Sequence, residues 1–575
     1  LGPSRTLVLI NGKRKNASSL VYINDTPGKG EVGVDMKSIP AYAIERIEVL
    51  RDGASAQYGS DAIAGVINVI LKKNVDYTTL NLFGGITTKG DGETYGFNLN
   101  TGTTVGKNGY LNITADFADQ GETNRAGTPG QDDLFGVSAN DPTWGTWLKA
   151  NPDLGMKVGQ PNMTTRDVFY NFSLPIGEKG FELYSFGGLT YRRGISYALY
   201  RTPYWVPDPS NIFHKAGTAY NGFGPTFETD IQDHTLAIGG KGEAQGWKYD
   251  ISVTNGGNQV DYTVGNSLNR SMGASSPTRF NPGGYEFNST VTNVDLGKQF
   301  DKLQLGLGTE FRTENFIAKT GEEASYIGGG AQSFPGIQPS NAVNAKRYNV
   351  GFYLDLNYDI TEDFLIGGTV RHEKYSDFGN NVSWKLNGRY KFADDKVVVR
   401  ASYSTGFRAP SLHQIYMSNV QTLLSGGTIS NQGTFNNESA VVRSLGVEKL
   451  KAEEAQNFTA GITLNPVSNF NLAVDYYDIK VNNRIVYSSS IASSDTNTAV
   501  GKILKQYAVT SIKFFANAIN TRSNGVDVVA SYSNIGLGSG KLAVVASANF
   551  NHNELDANIA TPAPIAASKA ELFDR

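Results

Sequence analysis

Two groups of side chains in this 575-residue sequence have types and spacing that could do chemistry. The first is aromatic. Segment 195–235 carries Tyr197, Tyr200, Arg201, Tyr204, Trp205, His214, Tyr220, Phe223 and Phe227, and segment 118–165 adds Arg125, Trp144 and Trp147. Rings interleaved with cations can hold a ligand that offers flat faces, by stacking and by cation–π attraction. Such rings also pack loops or form a girdle at a membrane interface, and the spacing leaves those readings open. The second group is charged. Glu310 and Arg312 share one face of an alternating segment, opposite Leu305, Leu307 and Phe311.

Catalysis is poorly served. Ser411 and His413 lie outside any Gly-x-Ser-x-Gly elbow. Gly328-Gly329-Gly330 lacks the Lys-Ser/Thr that completes a phosphate loop. Asp394-Asp395 falls in a tight turn, where carboxylates are solvated. With no cysteine and five histidines, a thiolate site is impossible and a His-rich metal site has little material. Asp- and Asn-rich segments could hold Ca²⁺, but no spacing singles one out. The expectation is a binding protein with no catalytic, cofactor or metal site.

The elements that position these residues follow from composition. Lys plus Arg is 51 and Asp plus Glu 54, a net charge of −3 that argues against nucleic acid as a partner. Mean hydropathy is −0.31, and no apolar run approaches the roughly 18 residues of a membrane helix. Aromatic residues are 11%, too many for a disordered chain. A large β protein remains. A transmembrane barrel fits, because its apolar residues are spread singly along strands; a soluble multi-domain β protein shares the composition.

Periodicity separates the two. Tyr95, Phe97, Leu99, Thr101, Thr103 and Val105 alternate with polar residues and Gly, Lys107-Asn108-Gly109 turns the chain, and Leu111, Ile113, Ala115 and Phe117 return. The unit recurs with Phe352, Leu354, Leu356 and Tyr358, with Trp384, Leu386 and Tyr390, and with Phe458, Ala460 and Ile462. These strands run to about ten residues, whereas soluble strands average about 5–6. Short turns at 107–109, 299–302, 361–363, 393–396 and 466–469 are interleaved with irregular segments at 118–165, 195–235, 255–290, 318–346, 405–455 and 485–520. Short turns on one side and long loops on the other predict an outer-membrane barrel. Residues 76–575 supply about 17–20 strands, enough to leave an open lumen unless something plugs it.

Residues 1–75 read differently. Short strands at Leu7–Asn11, Arg46–Leu50 and Val66–Leu71 and short helical pieces at Pro40–Glu45 and Ala54–Tyr58 predict a small α+β module ahead of the barrel. The stretch Ile39–Lys73, with Ile44-Glu-Arg-Ile-Glu-Val-Leu-Arg-Asp-Gly53 at its centre, strongly resembles the plug of TonB-dependent outer-membrane transporters. Leu7-Val-Leu-Ile-Asn-Gly-Lys-Arg14 resembles that plug's early strand. In the barrel, Tyr375-Ser-Asp-Phe-Gly379, Gly406-Phe-Arg-Ala-Pro-Ser-Leu412 and Asn520-Thr-Arg-Ser-Asn-Gly-Val-Asp527 resemble family motifs in order. Leu450-Lys-Ala-Glu453 resembles a Leu-x-Pro-Glu pattern with Ala452 in place of Pro, and Asp52-Gly53 stands where many members have Gly-Pro.

The resemblance implies a twenty-two-stranded antiparallel barrel around an N-terminal plug, in the outer membrane of a Gram-negative bacterium. It implies import of a scarce nutrient, a ferric siderophore or similar metal chelate first, driven through TonB with ExbB and ExbD. A glycan or peptide importer of the SusC-like kind, with a surface lipoprotein as lid, is the alternative; a structural barrel that transports nothing is another. Family plugs are held partly by Arg–carboxylate contacts, so Arg51 is expected to pair with Glu310 or Glu453. The ligand candidates are Trp144, Trp147, Arg201, Tyr204, Trp205, Arg408 and His413. No signal peptide or TonB box is visible, and Glu571–Arg575 does not read as a terminal strand, so the sequence reads as a fragment lacking both ends and the last strands.

Overall fold

The computed structural model describes all residues except 1, 25–27, 129–136, 139, 178–179, 426–427, 557–561 and 569–575; the expectation for Glu571–Arg575 lies outside the described residues. The N-terminal module is a four-stranded sheet of β1 (Thr6–Ile10), β2 (Lys13–Arg14), β3 (Ile44–Leu50) and β4 (Gly65–Leu71), in the order β2-β1-β4-β3. β1 runs parallel to β4, with Val8 opposite Ile67. Asn11-Gly12, both at positive φ, makes the two-residue turn that pairs Ile10 with Lys13. The helix expected at Pro40–Glu45 is only a 3₁₀ turn, Ala41–Ala43. From Ile44 the β-branched run instead pairs antiparallel with β4 and starts β3.

One face of this sheet has its own small core of Leu7, Leu9, Ala54, Ala62 and Val66. On the other, Ile10, Ile39, Val69 and Leu71 pack against Phe169, Phe186 and Ala237 of the surrounding wall. The module is therefore seated inside a barrel rather than beside it.

That barrel has seventeen strands, from Thr79–Gly85 to Gly540–Asp556, each paired antiparallel with its neighbour in chain order. Every backbone donor in lipid needs an internal partner, and continuous ladders supply it. The ring order brings the last strand beside the first. No residue register joins those two among the described residues, and Gly540–Asp556 is exposed along its whole length.

The strands outrun the length read from periodicity. Thr226–Ala244 and Trp247–Gly265 have 19 residues each, and Phe515–Leu537 has 23. Segments 255–265 and 284–290, expected as loop, are strand. The cause is an inversion of phase. Low on Trp247–Gly265, the odd-numbered Ile251 and Val253 face outward and are exposed; higher up, the even-numbered Val260, Tyr262 and Val264 face inward and are buried. Above the bilayer the outer surface is wet and the inner surface packs on loops, so the apolar stripe changes sides and the outward alternation ends.

The extracellular loops also build structure of their own. Strands Asn419–Ser425, Thr428–Thr434 and Ser511–Lys513 form a separate small sheet. Helices Ala440–Ser444 and Ala499–Gln506 close a core of Val442, Leu445, Ile503, Leu504, Ile512 and Phe514 beside it.

On the outer wall Leu354 is exposed, opposite Leu307 and Val370 of the neighbouring strands. Leu354→Arg is expected to cost about 2–4 kcal/mol, the penalty of a cation near the bilayer midplane. Denaturant titration of the protein folded into vesicles measures it.

Candidate functional site

The plug is tied to its barrel by ions with almost no access to water. Arg5, at the end of a 3₁₀ turn that leads into β1, donates from Nη1 to Glu31 Oε1 and from Nη2 to Glu453 Oε1, both at 2.6 Å. Relative exposure of the three side chains is 0%, 3% and 0%. Glu453 opens the strand Glu453–Leu464, so the contact joins plug to wall. Arg408 Nη1 lies 3.4 Å from Glu453, Arg484 Nη2 3.3 Å from Glu31, and the Ile485 amide donates to Glu453 at 2.7 Å. Burial would raise the Glu31 carboxyl, but Arg5, with Arg408 behind it, overcomes this and holds it down at about 2.

Further ties ring the plug. Asp52 accepts from Lys385 Nζ at 2.5 Å and from the Ser402 hydroxyl at 2.8 Å. Arg312 donates to Ser60 Oγ at 3.1 Å and Tyr375 Oη at 2.8 Å. Lys15 donates to Asp233 at 2.5 Å, and Asn171 Nδ2 to the Lys72 carbonyl at 2.9 Å. At Gly53 the plug backbone comes so close to the wall that a Cβ would sit 2.1 Å from Asn457 Nδ2 and 2.6 Å from Ser404 Oγ. That close approach explains the glycine where the resembled motif has Pro.

The expected partner of the plug's charged stretch is different. Arg51 is half-exposed and lies 3.5 Å from Asp527. Glu310 sits beside Arg371 at 3.3 Å and Arg312 at 3.9 Å, and Glu453 is held by Arg5. Arg51 extends into a water-accessible gap on the β3 side of the plug, whereas the dry seam lies at its N-terminal end. Of the three residues expected in a latch, Glu453 is in it and Arg51 and Glu310 are elsewhere; Arg408, expected at the ligand, lies beside Glu453 instead.

Above the plug lies a cavity of about 980 Å³. Its floor is the plug apex, segments 18–24 and 33–37; its walls include Phe227, Tyr262, Tyr285, Phe316 and Phe334. Phe227, Tyr262 and Phe334 form a triangle of rings with centroids 5.0–5.4 Å apart. The floor is fastened to the wall: Ser19 gives both its amide and hydroxyl hydrogens to Asn258 Oδ1 at 2.8 Å, and Arg192 makes a two-point ion pair with Asp35. An apolar, ring-walled chamber with a few polar groups at its base suits a flat-faced ligand.

Of the seven sequence-derived ligand candidates, Arg201 alone lines this chamber. It is buried, donates to the Leu199 carbonyl at 2.6 Å and stacks over Trp205 at 4.7 Å; burial pulls its pKa down to about 10. Trp144 and Trp147 both pack on Tyr204, at 5.9 and 6.0 Å, and fasten helix Gly145–Ala150 to the neighbouring loop. Trp205 belongs to a loop core with Val206, Phe223 and Leu268.

Arg408 and His413 lie lower, in a small enclosed space between plug and wall. Arg408 donates to Gln414 Oε1, and Gln414 donates to the plug's Gly30 carbonyl at 2.8 Å. His413 is wedged between Phe287 and Phe316, and burial pushes it down to about 3, so it stays neutral. Tyr262, Tyr285, Phe316 and Phe334 were missed by sequence. The signal for the first three was the inverted apolar phase at strand tops; Phe334 lies in a loop and had none.

Removing Arg5 leaves two buried carboxylates without their main partner. Arg5→Ala is expected to destabilise plug seating by about 3–5 kcal/mol, and half-exposed Arg51→Ala by less than about 1 kcal/mol. Limited proteolysis of the plug and ion conductance across planar bilayers read the difference. Because Glu31 is held at about 2 rather than its ordinary 4.5, its contribution is complete above pH 4.5 and is lost as the pH falls towards 2. Plug protection against an acid protease is expected to follow that window.

The profile "TonB dependent receptor-like, beta-barrel" matches residues 168–569, and the "TonB-dependent Receptor Plug Domain" matches residues 1–66. The chain is 24% identical over 486 residues to the ferric enterobactin receptor PirA of Pseudomonas aeruginosa, covering 80% of this chain and 58% of that protein. It is 22% identical over 490 residues to the ferrienterobactin receptor of Escherichia coli K12, covering 78% and 59%. The chain thus spans less than two thirds of these relatives. The crystal structure of the siderophore receptor PirA from P. aeruginosa superposes with a TM-score of 0.60 at 16% identity, over 97% of this chain and 80% of that one. With its plug seated in an antiparallel barrel and both profiles matched, the chain belongs to the TonB-dependent receptors, outer-membrane barrels of Gram-negative bacteria.

Proposed function

We propose that this chain belongs to an importer that captures a ferric siderophore or similar metal chelate at the cell surface and passes it inward when TonB, energised with ExbB and ExbD, acts on the plug. The observation that carries the reading is the ring-walled chamber of about 980 Å³ whose floor is the plug itself. A ligand there touches wall and plug together. Its binding energy can therefore bear on Arg192–Asp35 and Ser19–Asn258, two contacts that fasten the floor to the wall. The names of the relatives, ferric enterobactin receptors among them, favour a chelate whose aromatic faces match the Phe227, Tyr262 and Phe334 triangle. Outer-membrane lipid surrounds the barrel in this reading; a surface lipoprotein partner belongs to the glycan-import alternative.

The test is titration of the full-length protein with a ferric catecholate, followed by intrinsic fluorescence. Phe227→Ala and Tyr262→Ala are expected to weaken binding about tenfold each, equivalent to about 1.4 kcal/mol. Trp144→Ala, in the loop packing, is expected to change it less than about twofold. Binding of oligosaccharides or peptides in place of the chelate would overturn the ligand class, and a stable protein partner with no small molecule would favour the structural barrel.

A further inference from the structure

The lipid-facing wall carries a groove of its own. A cavity of about 990 Å³ opens outward on strands Val343–Asp359, Phe364–Tyr375, Gly379–Phe392 and Val397–Arg408. Its floor is made by missing side chains. Gly368 lies between Leu356 and Leu386, and Gly388 between Ile366 and Ala401, all in register on one face. Trp384 and Tyr403 stand at its side, their rings 5.5 Å apart.

Neither glycine is called for by the backbone or by crowding. Both have negative φ, and a Cβ would come no closer than 3.4 Å to its surroundings at Gly368 and 3.7 Å at Gly388. Gly367 next to them differs: a Cβ there would meet Asn357 Oδ1 at 2.3 Å inside the lumen. Packing thus accounts for Gly367, while what Gly368 and Gly388 provide is the open groove.

The groove's position says what fills it. It interrupts an outward belt of Leu354, Leu356, Ile366 and Leu386, so it is continuous with the surface that faces acyl chains. Along the same strand towards the extracellular turn 376–378, the outward residues after Val370 are His372 and Lys374, with Asn380 opposite Lys374. Both are exposed, and neither has an ion-pair partner among the described residues. Lys374 lies six positions beyond Gly368, about 20 Å of strand; at a tilt of about 45° that is about 14 Å of depth, one leaflet of a core about 30 Å thick. An anionic head at His372 and Lys374 therefore places its chain end in the groove.

We propose that this groove binds one acyl chain of an outer-leaflet lipid whose phosphate-bearing head sits at His372 and Lys374. The probe is phosphatidylglycerol with dibrominated acyl chains, present as a minor fraction of phosphatidylcholine vesicles that hold the full-length protein. Quenching that disappears in Trp384→Phe reports the groove. Such quenching is expected to exceed the bulk fraction of brominated lipid by about twofold. Gly368→Leu with Gly388→Leu fills the floor and should return it to the bulk value. Lys374→Ala, which leaves the groove open, should remove the excess for brominated phosphatidylglycerol and leave brominated phosphatidylcholine unchanged. Heat-modified electrophoretic mobility verifies that each variant folds. Equal quenching in the filled and open proteins overturns the proposal. So does a dimer whose interface protects Trp384 from both lipids, since a second copy would then be the occupant.

Discussion

One buried guanidinium anchors the N-terminal end of the plug to the barrel. Arg5 has no exposed surface, and its two carboxylate partners come from different parts of the structure: Glu31 from the plug and Glu453 from the first residue of a wall strand. A charge in such a place is costly unless every partner is present. The seam therefore tolerates little displacement, and small movements of the apex meet a steep penalty. The apolar faces alone would not give this. Ile10, Ile39 and Val69 pack on Phe169 and Phe186 through contacts that can slide; a directional, charge-assisted hydrogen bond from Arg5 to Glu453, with the guanidinium braced by Glu31, fixes position as well as proximity.

The ties around the rest of the plug bear on how the filled lumen of the proposed importer opens. The plug meets the wall largely through side-chain ions and amides, as at Lys385–Asp52, Lys15–Asp233 and Arg312–Ser60. Water can replace such contacts one by one as a seam parts. An apolar seam of similar area would have to expose its surface without compensation. On the β3 side, where Arg51 extends towards Asp527, the packing is already loose and part of the lumen is wet. Tight contact at the N-terminal end and a gap at the opposite side make the plug asymmetric in its resistance to displacement.

The sequence showed the barrel, the plug and their order, because outward alternation at bilayer depth is a strong period-two signal. Phe352, Leu354, Leu356 and Tyr358 could be read without a structure. Of its candidate site residues, Glu453 lies in the buried seam and Arg201 lines the chamber. The sequence misled on the latch cation, since Arg51 sits in the most recognisable motif while Arg5, without any charge pattern around it, holds the seam. The aromatic candidates misled for another reason. Trp144, Trp147 and Tyr204 are rings that a long loop needs for its own core, and composition does not distinguish a ring that packs from a ring that lines a chamber.

What composition hides, the phase of the strands reveals. Val260, Tyr262 and Val264 are one residue out of step with Ile251 and Val253 on the same strand. The shift marks the level where lipid gives way to water outside and where the wall begins to face the chamber inside. Phe227, Tyr262 and Phe316 are on the chamber side of that boundary, so the rings best placed to meet a ligand are those that break the barrel's alternation. In a barrel of this kind the depth of the bilayer and the floor of the binding chamber are set by the same feature of the sequence. Residues that look irregular against the membrane pattern are therefore the first place to look for the site.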